Sequence, residues 1–306
     1  MIKRRQLLQL SAGLLASQSL GLRAGSNATS LPLIQRPIPS TGELLPVIGM
    51  GTSRTFDTAG SAEDLASLSA VMQAFFSGGG SVIDSSPMYG NAESRVGDVL
   101  RAMPQRPKLF AATKVWTTGR KQGIAQMEES ARRMNVERFD LIAVHNLLDW
   151  QTQLDTLKNW KAEGRVRYIG ITTSHGREHE ALLQIMRSEP LDFVQFSYNI
   201  KDRAAESELL PTAAERGIAT MINRPFELAA LFSKSRGAPL PPLAAELDCD
   251  SWGQFYLKFI LGHPAVTCII PATAKVHHME DNMRANFGRV PNEQQRAEML
   301  RLFEQL

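Results

Sequence analysis

Asp84 closes the apolar run Val82-Ile83, and Tyr89 follows five residues later in a loop of Ser, Pro and Gly that leads into a helical segment. Lys114 stands near the end of a second apolar run, Leu109 to Val115, and His145 ends a third, Leu141 to His145. In parallel α/β folds the C-terminal ends of the strands carry the chemistry. A carboxylate, a phenol, an ammonium and an imidazole gathered there make a proton-donor site. A free tyrosine has a pKa near 10 and gives its proton up poorly at neutral pH. An ammonium about 4 Å away is worth up to roughly 4 kcal/mol at an effective dielectric of about 20. That would favour tyrosinate by about three pKa units, before burial takes some back. Asp84 would hold the lysine charged and oriented, and His145 would donate a hydrogen bond to a substrate carbonyl. Singly, each residue has a plainer reading: a structural ion pair, a satisfied core histidine, a loop tyrosine. Their combination at three neighbouring strand ends points to a site.

The elements that must position these groups alternate along the chain. Eight strand candidates run Val47 to Gly51, Ser81 to Ser85, Leu109 to Val115, Leu141 to His145, Tyr168 to Thr172, Phe193 to Ser197, Ile218 to Asn223 and Thr267 to Pro271. Between them, Ala62 to Phe76 carries Leu65, Leu68, Val71, Met72 and Phe75 at the three-and-four spacing of an amphipathic helix. Ile124 to Met134, Gln151 to Ala162, His179 to Arg187, Ala204 to Glu215, Trp252 to Leu261 and His277 to Asn286 behave alike. Buried strands alternating with helices indicate an α/β fold, a (β/α)8 TIM barrel. An N-terminal hairpin around Ser40-Thr41-Gly42 and an extra C-terminal helix, Asn292 to Glu304, flank it. The alternative is an open doubly wound sheet. No strand, however, is followed by Gly-x-Gly-x-x-Gly, and Gly78-Gly79-Gly80 precedes a strand and ends a helix.

Composition narrows the function classes. The net charge is +3, and past the extreme N-terminus no Lys/Arg cluster suggests a nucleic-acid partner. Cys249 and Cys268 belong to different elements, and neither forms a Cys-x-x-Cys pair; Cys268 reads as a small buried hydrophobe. His277-His278 have no companion histidine pair at a strand end, so no metal is expected and a metal-dependent hydrolase is a weak reading. Residues 1–28 read as a leader: Lys3-Arg4-Arg5, then the apolar Leu7-Leu8 and Leu14-Leu15, then small residues near Ser26-Asn27-Ala28. The Arg4-Arg5 pair resembles a twin-arginine export signal. The twin-arginine machinery is then a partner and the periplasm the destination, or the cytoplasm where the leader does not function. The apolar stretch is too short and polar for a comfortable span, so no stable membrane span is expected after processing. Residues 29–306 form the barrel domain.

From about Pro37 onward the chain resembles the aldo-keto reductase superfamily. Asp84-x-x-x-x-Tyr89-Gly90-x-x-Glu93, Thr113-Lys114-Val115-Trp116 and Val144-His145-Asn146 match its three catalytic segments in order and spacing. Gly164 to Ile171 resembles its fifth-strand signature and Gln195 to Asn199 its sixth. The resemblance implies hydride transfer between a nicotinamide cofactor and a carbonyl, with Tyr89 as general acid. It places Thr172, Thr173 and Gln195 on the nicotinamide carboxamide, although many members have Asn where Thr173 stands. Asn223 takes the place of a tyrosine that stacks on the nicotinamide, and Arg224 after it could reach a cofactor phosphate. Ile270 to Lys275 and Asp281-Asn282 resemble the segment that grips the adenosine end, with Thr273, Lys275 and Asn282 as its contacts. Ala272 and His278 replace a lysine and an arginine common there. NADPH is expected, with NADH as the alternative. Met88 and Trp116 would line the substrate pocket. A longer C-terminal loop found in many members looks absent and the segment His145 to Gln151 is short, so an open, permissive pocket is expected. A cofactor-binding regulatory or sensor protein with slow turnover is the competing reading.

Overall fold

The computed structural model describes Leu31–Leu306 apart from Arg106; the leader expected over residues 1–28 lies outside the described residues. The strands are β1 (Gln35–Pro37), β2 (Leu44–Pro46), β3 (Met50–Gly51), β4 (Val82–Asp84), β5 (Phe110–Val115), β6 (Phe139–His145), β7 (Val166–Thr172), β8 (Phe193–Ser197), β9 (Ala219–Asn223) and β10 (Cys268–Ile269). Strands β3 to β10 pair in chain order, every neighbour parallel. Bridges Ile48 to Ile269 and Gly51 to Ala272 bring the two ends together. There the Gly49 N–H donates to Ile269 O at 2.8 Å and the Gly51 N–H to Pro271 O at 3.0 Å. The sheet thus closes into the expected eight-stranded barrel, covered by helices.

Period-two alternation sorts each strand's side chains. Phe110 and Ala112 of β5 join an inner core with Ile38, Leu45, Val82, Leu141, Tyr168, Phe193 and Met221. Ala111 and Val115 join the larger outer core under the helices. By the same alternation Lys114 follows Phe110 and Ala112 to the interior, Asp84 follows Val82, and His145 follows Leu141. The antiparallel hairpin β1–β2 supplies Ile38 and Leu45 to this inner core and so plugs the N-terminal end of the barrel.

The helices are α1 (Ala62–Ser77), α2 (Ala92–Ala102), α3 (Arg120–Met134), α4 (Trp150–Ala162), α5 (His179–Ser188), α6 (Leu209–Arg216), α7 (Ala230–Lys234), α8 (Pro242–Glu246), α9 (Trp252–Leu261), α10 (Val276–Arg284) and α11 (Glu293–Glu304). Helix α1 starts at a Ser61–Asp64 capping box, buries Leu68, Val71, Met72 and Phe75, and ends at Gly78. The extra C-terminal helix, α11, starts at an Asn292–Gln295 capping box. Three details depart from the sequence reading. The helix expected over Ala204 to Glu215 is split into a 3-10 turn, Ala204–Glu206, and α6. Pro211 lacks an N–H and fits only the first turn of a helix, which fixes the start of α6 just before it. Helix α3 begins at Arg120 rather than Ile124, and the one-turn helices α7 and α8 are too short to show periodicity. Among the described residues no helix is long and apolar enough to cross a membrane, and Cys249 and Cys268 are both free and buried.

Candidate active site

The interior register delivers Asp84, Lys114 and His145 to one end of the barrel, and the β4–α2 loop folds Tyr89 over them. Lys114 is 0% exposed. Its ammonium donates to Asp84 Oδ2 at 2.6 Å and to Ser85 O at 2.8 Å, and lies 5.2 Å from the centroid of the Tyr89 ring. The Tyr89 and His145 rings meet edge to face with centroids 5.8 Å apart. The four groups expected to converge do converge.

Their electrostatics follow from burial. Burial alone would lower the Lys114 pKa, yet Asp84 and Tyr89 together hold it above the ordinary lysine value. Burial raises the Asp84 carboxyl against the opposing pull of Lys114. His145 is pushed down to about 3 by burial and then by the Lys114 charge, so its ring is neutral. Tyr89 corrects the sequence expectation of an acidified phenol. Burial raises its pKa, Lys114 opposes with both charge and a hydrogen bond, Asp84 adds to the rise, and the net shift is upward. Desolvation of tyrosinate outweighs the ammonium, and the resting phenol keeps its proton throughout neutral pH.

Two neighbours complete the arrangement: Ser86, which sequence reasoning passed over, and Glu93, which it named only within the first motif. Ser86 Oγ lies 2.9 Å from His145 Nδ1. Behind Lys114, Thr113 points outward and donates to the buried Glu93 Oε1 at 2.6 Å, while Ser130 on α3 donates to Glu93 Oε2 at 3.1 Å. Glu93 ties β5, α2 and α3 together, and burial raises its carboxyl pKa. The alternation of β5 gave a signal for Glu93, since it sends Thr113 toward α2; nothing local marked Ser86. Met88 and Trp116 stand at the rim, 44% and 39% exposed, rather than in the core. The Trp116 backbone is fixed on both sides by Gln126, whose Oε1 accepts its N–H at 2.6 Å and whose Nε2 donates to its carbonyl at 3.1 Å. The indole centroid lies 6.5 Å from that of His145.

Beside the four convergent groups a polar arc runs along the ends of β7, β8 and β9. Thr172 Oγ1 donates to Gln195 Oε1 at 2.9 Å, and Gln195 Nε2 donates to Met221 Sδ at 3.1 Å. Asn223 Nδ2 donates to Thr173 O at 2.9 Å and its Oδ1 accepts Ser197 Oγ at 2.7 Å. Thr173 Oγ1 is buried with no hydrogen-bond partner. An orphaned buried hydroxyl is costly unless a ligand meets it, and a carboxamide offers both the donor and the acceptor. The arc therefore fits a nicotinamide. Arg224 follows Asn223 and its Nη1 contacts His175 Nε2 at 2.5 Å. Thr273, Lys275 and Asn282 lie apart, after β10. Thr273 Oγ1 accepts the Lys275 N–H at 3.1 Å, Lys275 caps α10 with its side chain exposed, and Asn282 is buried on α10. No hydrogen bond among the described residues links these three to the four convergent groups. Nor do the described residues contain a group of three or more His, Cys, Asp or Glu that could hold a metal ion.

Comparison with known proteins agrees with this geometry. The chain is 26% identical over 258 residues to methylglyoxal reductase YeaE of Escherichia coli (strain K12), covering 81% of this chain and 88% of that protein. It is 30% identical over 181 residues to the NADH-specific methylglyoxal reductase of the same organism, covering 48% of this chain and 52% of that one. Its fold is shared with an aldo-keto reductase from Klebsiella pneumoniae solved in complex with NADPH, at a TM-score of 0.72 and 22% identity, over 89% of this chain and 96% of that one. The Aldo/keto reductase family pattern matches residues 47–298, which takes in the whole closed barrel and all four convergent side chains, and the chain belongs to that family.

Proposed function

We propose that this protein reduces aldehydes or ketones to alcohols with NADPH, or with NADH in its place, and that Tyr89 delivers the proton. The observation that carries the reading is the fully buried Lys114 ammonium, fixed by Asp84 at 2.6 Å and facing the Tyr89 ring at 5.2 Å. When bound, the reduced nicotinamide supplies the hydride. The neutral His145 orients the carbonyl oxygen by a hydrogen bond. As negative charge develops on that oxygen, Tyr89 gives up its proton, and the charge left on the phenol forms beside the Lys114 ammonium. The upward-shifted pKa of the resting phenol keeps the proton in place until then, and the preorganised cation acts in a water-poor site where it is worth far more than in bulk. Asp84 keeps Lys114 charged throughout.

Thr172, Thr173 and Gln195 would hold the carboxamide, with Asn223 beside it. Arg224, Thr273, Lys275 and Asn282 would hold the phosphates and adenosine. Met88 and Trp116 offer a half-open apolar wall to the substrate. Two relatives are named methylglyoxal reductases, so small aldehydes and 2-oxoaldehydes are the first substrates to assay. Steady-state oxidation of NADPH with a panel of such carbonyls tests the activity. A slow-turnover sensor remains the second reading, because Asn223 puts an amide where a stacking ring would lie. No turnover with any carbonyl, together with retained NADPH binding, would favour it.

Export belongs to the same proposal. Residues 1–28 are read as a twin-arginine leader, which would send the barrel domain 29–306 to the periplasm. Mass analysis of protein from its native host tests this by the cleavage of the leader, and shows whether a nicotinamide cofactor travels with the chain.

A further inference from the structure

Three arginines follow three separate strand ends at the mouth of the barrel. Arg54 follows β3, Arg177 lies in the loop between β7 and α5, and Arg224 follows β9. Among the described residues none of them makes an ion pair, although most other arginines do. Glu227, a nearby carboxylate, is taken by Lys201 at 2.9 Å. The three act on one another across the mouth: Arg54 and Arg177 each bear electrostatically on Arg224 and on His175, with Asp202 the other opposing charge.

Their placement is specific. His175 is pinned by its N–H to Ser197 Oγ at 2.9 Å and by Nδ1 to Ser174 Oγ at 2.6 Å, and its Nε2 meets Arg224. Ser197 in turn holds Asn223, which holds Thr173. Arg224 is therefore linked through His175, Ser197 and Asn223 to Thr173, the residue with the orphaned hydroxyl. Arg54, His175 and Arg224 have φ of 64°, 67° and 51°, a left-handed backbone that costs a non-glycine residue about 1 kcal/mol. Strain of this kind concentrates at ligand clamps. A dinucleotide's diphosphate carries two charges, and in folds with a glycine-rich loop backbone N–H groups meet them. No strand here is followed by such a loop, and cationic side chains are another source of that positive charge.

We propose that Arg54, Arg177 and Arg224 form a clasp on the diphosphate of the bound dinucleotide. The proposal rests on the reductase reading and assigns two residues, Arg54 and Arg177, that the family's motifs do not mark in this sequence. The clasp replaces by charge the grip that an aromatic platform at Asn223 would give by stacking.

The test is calorimetric titration of the full chain with NADPH, ADP-ribose and 2′-AMP, at low and moderate salt. ADP-ribose keeps the diphosphate without the nicotinamide, and 2′-AMP lacks the diphosphate. Arg54→Ala and Arg177→Ala should each weaken NADPH and ADP-ribose roughly tenfold at low salt, flatten the salt dependence of binding, and leave 2′-AMP unchanged. Arg301→Ala, an exposed arginine paired with Glu298 on α11, should change none of the three. Wild-type affinities for NADPH and ADP-ribose in both variants would overturn the clasp. So would variants that keep those affinities and raise only the KM for succinic semialdehyde, since the arginines would then serve a substrate carboxylate. Failure of the wild type itself to bind NADPH would instead overturn the reductase reading.

Discussion

Ser86 Oγ lies 2.9 Å from His145 Nδ1 and accepts the Met88 N–H at 3.2 Å. Among the described residues the imidazole Nδ1 is the acceptor that the serine hydroxyl proton can reach. A neutral ring that accepts at Nδ1 carries its hydrogen on Nε2, where it can be donated to a carbonyl oxygen. Ser86→Ala frees the ring to adopt the other tautomer. The expected result is a roughly tenfold loss in kcat with unchanged NADPH affinity, and a shift of the ring's 15N resonances toward the Nδ1–H form.

Helices α2 and α3 cross where Gly97 has no side chain. A Cβ there would fall 1.9 Å from Arg133 O, a backbone atom that cannot swing aside. Gly97→Ala should force the helices apart and destabilise the fold by roughly 3 kcal/mol, read as a lower midpoint in urea. Because α2 follows Tyr89 and carries Glu93, reductase activity should fall as well.

The pH behaviour of His145 separates activity from stability. Its folded pKa of about 3 lies below the ordinary histidine value. Between the two, the unfolded chain binds a proton that the folded one does not, so stability falls as pH drops from about 6.5 toward 3. The contribution is fully present above pH ~6.5. Over that acid range kcat/KM should show no break near the ordinary histidine pKa while the chain stays folded. Denaturant titrations at pH ~7 and pH ~5, set beside the rate profile, check both halves.

Cys249 and Cys268 are buried, and burial pushes both thiols up to about 12. Neither is a thiolate at neutral pH, so neither should react with a thiol reagent in the native state. Labelling should appear only in denaturant, at both positions.

The barrel was legible because its strands are buried on both faces and read as apolar runs, bounded by helices with a clear three-and-four stripe. The convergence of the four was legible for a related reason: Asp84, Lys114 and His145 are polar residues interrupting apolar runs at their C-terminal ends, which is costly unless they meet. Asp84, Lys114 and His145 stand on the neighbouring strands β4, β5 and β6, so their meeting follows from parallel pairing in chain order; closure between β3 and β10 is what no local signal carries. The direction of the Tyr89 shift was not legible, because spacing shows which charges are near and not how much water the fold removes. Ser86, Arg54 and Arg177 were missed for another reason. They are ordinary loop polar residues whose meaning arises only when loops distant in sequence share one mouth.

The central claim is that Tyr89 donates the proton under the control of Lys114. Its most direct test is Tyr89→Phe, which removes one hydroxyl and keeps the ring against His145. With NADPH and a small aldehyde, kcat should fall by at least ~100-fold, in the range that loss of a general acid costs, while NADPH affinity measured without substrate stays at the wild-type value. Equal turnover in Tyr89→Phe and wild type would contradict the account.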